Sequence, residues 1–86
     1  MTYTVIVPDE IERIVSKKLK NKELINRVYK KLKKLEKKPT VYGKPLRKPL
    51  AGIWEIYFEK RWRILFEIYE EQKIVLIVGF KHKDEM

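Results

Sequence analysis

No cysteine occurs in the 86 residues, so neither a disulfide nor a thiolate metal site is open to this chain. Such a composition suits a reducing compartment. A single histidine, His82, and a single serine, Ser16, remove two further classes of chemistry. One imidazole without thiolates cannot supply the usual metal ligand sets, and a serine inside a helical pattern is badly placed to lead a Ser/His/Asp triad. The three glycines, Gly43, Gly52 and Gly79, are too few and too scattered for a phosphate-cradling loop. No apolar run approaches the roughly 18–20 residues that cross a bilayer, and Asp9 and Glu10 stand where a signal peptide would keep its apolar stretch. The expectation is a soluble, cytoplasmic protein with no membrane partner, no metal and no other cofactor.

What the sequence does hold is positive charge. Lys and Arg number 21 against 12 Asp and Glu, a formal net charge of +9, which favours an anionic partner such as nucleic acid or an acidic protein. A hydrophobic content of 44%, with two Trp, five Tyr and three Phe, is too high for a disordered tail. The length fits one domain, residues 1–86, with one core.

The β-branched and aromatic run Thr2–Val7 predicts a strand, stopped by Pro8, which has no N–H for a ladder but suits the start of a helix. Ile11, Ile14, Val15 and Leu19 then recur at helical spacing, predicting a helix over about Asp9 to Lys18. After a break near Asn21, Leu24, Ile25, Val28, Leu32 and Leu35 predict a second helix over about Lys22 to Lys37, ended by Pro39. So short a turn makes the two helices an antiparallel hairpin with its apolar stripes on one surface. From Pro39 to Gly52, prolines and glycines punctuate a basic stretch that reads as an extended, exposed connector.

Period-two alternation then predicts strands over Ile53–Glu59 and Trp62–Tyr69, joined by a tight hairpin at Glu59, Lys60 and Arg61. After a turn at Glu70, Glu71 and Gln72, the run Lys73–Phe80 is apolar on both faces and is predicted to be a central strand. The order β-α-α-β-β-β is α+β, with the helical hairpin on one face of a small, mainly antiparallel, twisted sheet.

The face away from the helices should carry Glu55, Tyr57, Arg63 and Leu65, with Lys81 and Lys83 extending it. A basic, partly aromatic surface of this kind suits RNA, whose phosphates are neutralised by Lys and Arg and whose bases rest on aromatic rings. Ordinary solvated charges on an amphipathic sheet give the same pattern. Arg63 is the most informative of these residues, because a cation in an apolar strand needs a carboxylate, Glu55 or Glu67, or a phosphate. His82 is the default candidate for proton transfer, although a lone histidine so placed is more often an ordinary surface residue. The lysine run from Lys30 to Lys38 suggests nucleic-acid binding. Because Leu32 and Leu35 face the sheet, however, the lysines fill the solvated side of an amphipathic helix, a reading in which they add only non-specific attraction.

The stretch Gly43 to Ile68 resembles the RelE/ParE superfamily of toxins from type II toxin–antitoxin systems, in its Leu50, Gly52 and Trp54 and in Trp62-Arg63-Ile64 with Phe66. His82-Lys83-Asp84-Glu85-Met86 is similar to the family's C-terminal segment, and the element order extends the likeness over essentially the whole chain. The resemblance implies a RelE-like, microbial-ribonuclease fold and an acidic, partly disordered antitoxin in a hetero-oligomer. For the RelE branch it also implies metal-independent cleavage of mRNA in the ribosomal A site, by attack of the 2′-hydroxyl on the adjacent phosphate. By position it makes Arg63 the phosphate-stabilising arginine and places Lys81, His82 and Lys83 in the basic catalytic segment. Glu55 and Tyr57 stand where the mRNA cutters have basic residues, and their terminal tyrosine has no match here. Glu55 and Tyr57 complete the candidate catalytic set, while Lys44, Arg47, Lys48, Lys60 and Arg61 are the candidate RNA and ribosome contacts. Two other readings fit the resemblance: a ParE-like, non-catalytic gyrase poison, and an inactive homologue that only binds antitoxin.

Overall fold

The β-branched opening run forms a strand at Thr4–Ile6 (β1), shorter at both ends than the alternation predicts. The computed structural model describes residues 2–47 and 52–85. Pro8 follows β1, and its carbonyl accepts the N–H groups of Ile11 and Glu12 at 2.9 and 3.1 Å, which starts helix α1 (Asp9–Leu19). Asp9, Glu10 and Glu12 in the first turn and Lys17 and Lys18 in the last complement the helix dipole. Lys20 closes the helix in the left-handed region, at φ 50°, with its N–H on the Ser16 carbonyl. Helix α2 (Lys22–Leu35) begins where the Asn21 side chain accepts the Leu24 N–H at 3.1 Å.

The predicted extended connector is in fact partly ordered into two elements. Pro39, with its φ already suited to a helix, opens the single turn α3 (Pro39–Tyr42). Strand β2 (Lys44–Pro45) then pairs antiparallel with β3 (Trp54–Phe58). Pro45 is tolerated there because β2 is an edge. Strands β4 (Trp62–Tyr69) and β5 (Ile74–His82) complete a sheet of order β1-β5-β4-β3-β2. The doubly apolar strand β5 has neighbours on both sides, parallel β1 and antiparallel β4. The middle place nonetheless falls to β4, because β2 adds a strand beyond β3.

The three helices pack on one face of this sheet. Phe66, Leu35, Ile64, Ile77 and Val75 are the most deeply buried side chains. Trp62 stacks on Phe80 with ring centroids 4.9 Å apart and planes 9° from parallel. Between β4 and β5 the register slips by one: Leu65 faces Gly79 and Phe66 faces Ile77, leaving Val78 unpaired in a bulge. This slip resets the alternation of β5, so that Ile77 and Phe80 both point into the core although three residues apart. A side chain at position 79 would start 3.2 Å from the Leu65 methyl group, and the bare glycine backbone is why Leu65 is buried on the face without helices.

Candidate RNA-binding face

Two cross-strand rows occupy the face away from the helices, and the register fixes their members. The first is Tyr57 on β3, Arg63 on β4 and Lys81 on β5. The second is Lys44 on β2, Glu55 on β3, Leu65 on β4 and Gly79 on β5. Arg63 and Glu55 are therefore diagonal neighbours, within reach of each other. The Arg63 Nη1 donates to Glu55 Oε2 at 3.2 Å. The Arg63 guanidinium carbon also lies 5.1 Å from the Tyr57 ring centroid, and the Lys44 ammonium 6.0 Å from it. Cations at these distances are drawn to the ring quadrupole.

Burial sharpens the electrostatics. Glu55 is the sole buried charged residue among those described, at 7% exposure, while Tyr57 is 48% exposed. A buried carboxylate needs a partner, and Arg63 supplies it through one hydrogen bond rather than a two-pronged fork. The Arg63 Nε is itself buried and meets no acceptor among the described residues. Lys44 is thus the register neighbour of Glu55 on β2, Arg63 its ion-pair partner on β4, and Lys81 stands beside Arg63 on β5. Glu67, the other carboxylate open to Arg63 by sequence, instead accepts the Tyr69 hydroxyl at 3.1 Å, and that bond raises the Tyr69 pKa above its ordinary value.

His82 does not join this group. It is the register partner of Trp62, on the helix side of the sheet, and its ring meets Trp62 edge-on at 5.0 Å. Its Nδ1 lies 3.2 Å from the Asp84 N–H and 3.4 Å from the Asp84 carboxylate. Lys83 is exposed in the single 3-10 turn Lys83–Glu85, and its backbone N–H reaches the Arg61 carbonyl at 2.8 Å. Lys60 and Arg61 are exposed at the tip of the β3–β4 hairpin, and Arg47 is exposed after β2. Lys48 and Leu50 lie outside the described residues. The 3-10 turn is tethered to α1 by Glu85, which accepts both the Lys18 ammonium and the His82 N–H; the first bond, then the second, lowers the Glu85 pKa.

Tyr42 is a feature that sequence reasoning passed over. It ends α3, is 47% exposed, and borders a narrow cleft with Lys44, Glu55 and Tyr57. Among the described residues there is no group of three or more His, Cys, Asp or Glu able to hold a metal ion, and no helix is long and apolar enough to cross a membrane.

Comparison with known proteins agrees with this architecture. The family described as "Phage derived protein Gp49-like" matches residues 17–85. A curated protein of Methanocaldococcus jannaschii named "Putative toxin RelE4" is 27% identical over 98% of this chain and 89% of its own length. The toxin–antitoxin complex RelBE2 of Mycobacterium tuberculosis superposes with a TM-score of 0.83 at 28% identity, over 96% of this chain and 100% of that one. The archaeal RelE–RelB complex of Pyrococcus horikoshii shares the fold, with a TM-score of 0.74 at 16% identity over the full length of both chains. A family match over most of the sequence and a fold shared end to end lead to one conclusion: the chain belongs to the Gp49-like family of RelE-type toxins.

Proposed function

We propose that this toxin is a metal-independent endoribonuclease that cuts mRNA at the ribosome in the cytoplasm and is held in check by an acidic, partly disordered antitoxin. The observation behind this reading is the row Tyr57, Arg63 and Lys81, a stacking ring and two cations side by side on an open sheet face. Cleavage by 2′-hydroxyl attack needs three things: removal of the 2′ proton, neutralisation of charge on the phosphate, and a proton for the departing 5′-oxygen. Arg63 meets the phosphate, Lys81 beside it stabilises and protonates the leaving oxygen, and Tyr57 stacks a base. Glu55 is the one carboxylate in these rows and takes the 2′ proton. His82, on the far side of the sheet, has no step. The antitoxin finds support in the matched structures, two of which are toxin–antitoxin complexes.

Induced expression tests the reading. Growth should stop, and primer extension should show new 5′ ends in translated transcripts, absent with Arg63→Ala. Normal growth with intact transcripts would sink it. A gyrase-poisoning role is favoured by one observation, that Glu55 already neutralises Arg63. Inhibition of supercoiling by the purified protein, without RNA cleavage, would select that role.

A further inference from the structure

Around the β2 edge of the sheet the surface changes character without a break. The cleft bordered by Lys44, Glu55 and Tyr57 ends at Tyr42, and Tyr42 is also a wall of a second, larger groove of about 510 Å³. That groove runs between α2 and the N-terminal segment and is bordered by Thr2, Lys33, Lys34, Glu36 and Lys37. Three lysines against one glutamate leave it positive. The Lys34 ammonium sits 5.7 Å from the Tyr42 ring centroid, repeating at Tyr42 what Lys44 and Arg63 do at Tyr57. Tyr42 is half exposed although it follows the buried Pro39, so the short helix α3 presents an aromatic ring to solvent between two basic surfaces.

We infer that this groove is a second binding site, for the single-stranded RNA that flanks the phosphate held at Arg63, with Tyr42 as a stacking platform and Lys33, Lys34 and Lys37 on the backbone. Alternating rings and cations along a groove are what a flexible polynucleotide needs, since every base has a face to stack and every step brings a phosphate. An acidic protein would use the lysines but has no need of an exposed ring at the junction. The inference rests on the RNA-cleaving reading for its direction, but the groove can be tested apart from it.

The experiment is fluorescence anisotropy of a labelled oligouridylate with the purified full-length chain. Tyr42→Ala should weaken binding by about tenfold, the size of one lost base stack, while Tyr42→Phe, which keeps the ring, stays within about twofold of wild type. The double variant Lys34→Ala/Lys37→Ala should lower the slope of log affinity against log salt by about 1.4, at ~0.7 per phosphate. Equal affinity of Tyr42→Ala and wild type, with both chains folded by circular dichroism, would overturn the inference. So would Tyr42-dependent binding of polyaspartate as tight as that of RNA. Tyr42-dependent RNA binding by a chain that cuts no transcript supports the groove and defeats the proposed reaction. Cutting that depends on Arg63 while RNA ignores Tyr42 does the reverse.

Discussion

Glu55 and Arg63 depend on each other for opposite reasons. The carboxylate is buried and needs a cation, while the guanidinium spends one of its donors on a contact that a phosphate would use better. Arg63→Ala strands the carboxylate, and chemical denaturation should show a loss of about 1–3 kcal/mol. Adding Glu55→Gln to it should recover most of that loss, because a neutral amide is cheaper to leave unpaired. The single change Glu55→Gln should tighten RNA binding while abolishing cleavage, a split read by anisotropy and primer extension on one sample. Loss of both would make Glu55 only a holder of Arg63. At the other end of the sheet, the Tyr3 hydroxyl donates to Glu70 at 2.7 Å, which raises the Tyr3 pKa above 10.0. A raised folded value means stability that is fully present below 10.0 and is lost as pH rises through the folded pKa. The melting temperature should therefore fall on the alkaline side, and fall less in Tyr3→Phe.

Among the elements, turns store strain that the sequence does not advertise. Lys20, at φ 50°, and Lys60, at φ 62°, hold left-handed conformations that favour glycine. Lys20→Gly and Lys60→Gly should each stabilise the chain by about 1 kcal/mol in urea titration. Gly43 is the opposite case: a side chain there would start 2.5 Å from the Phe66 ring and 3.0 Å from the Pro39 carbonyl. Gly43→Ala should cost about 1–3 kcal/mol by overpacking. The helices were legible because α1 and α2 put Ile11, Val15, Val28, Leu32 and Leu35 at core spacing. Strand β2 was not, because two residues leave no period to read. The bulge at Val78 hid the burial of Leu65, which depends on a glycine one strand away. The pair Arg63–Glu55 was legible as a need without a settled partner, and the register chose Glu55 over Glu67. The side on which His82 lies was readable from alternation with buried Phe80, a signal that its chemical appeal obscured. Tyr42 gave no warning, since its place in the site depends on α3 turning the chain toward the β2 edge.

For the whole molecule, acidity reaches the fold through its C-terminal turn. The Glu85 pKa lies below its ordinary 4.5, held there by Lys18. A lowered folded value contributes stability above 4.5 that is lost as pH falls through the folded pKa. Thermal melts below about pH 4.5 should show this loss, and Lys18→Met should remove it together with the tether to α1. The parallel pairing of β1 with β5 has a further consequence, in time rather than space. The Tyr3–Glu70 and Lys18–Glu85 contacts each join residues 67 positions apart, and β1 finds no strand to pair with until β5 exists. Synthesis runs from the N-terminus, so the first strand and the helices emerge before the sheet they cover can form. The row that carries Tyr57, Arg63 and Lys81 draws on three strands, the last of them β5, so this face is completed only once β5 has been made and has paired, at the same moment that β1 gains its partner.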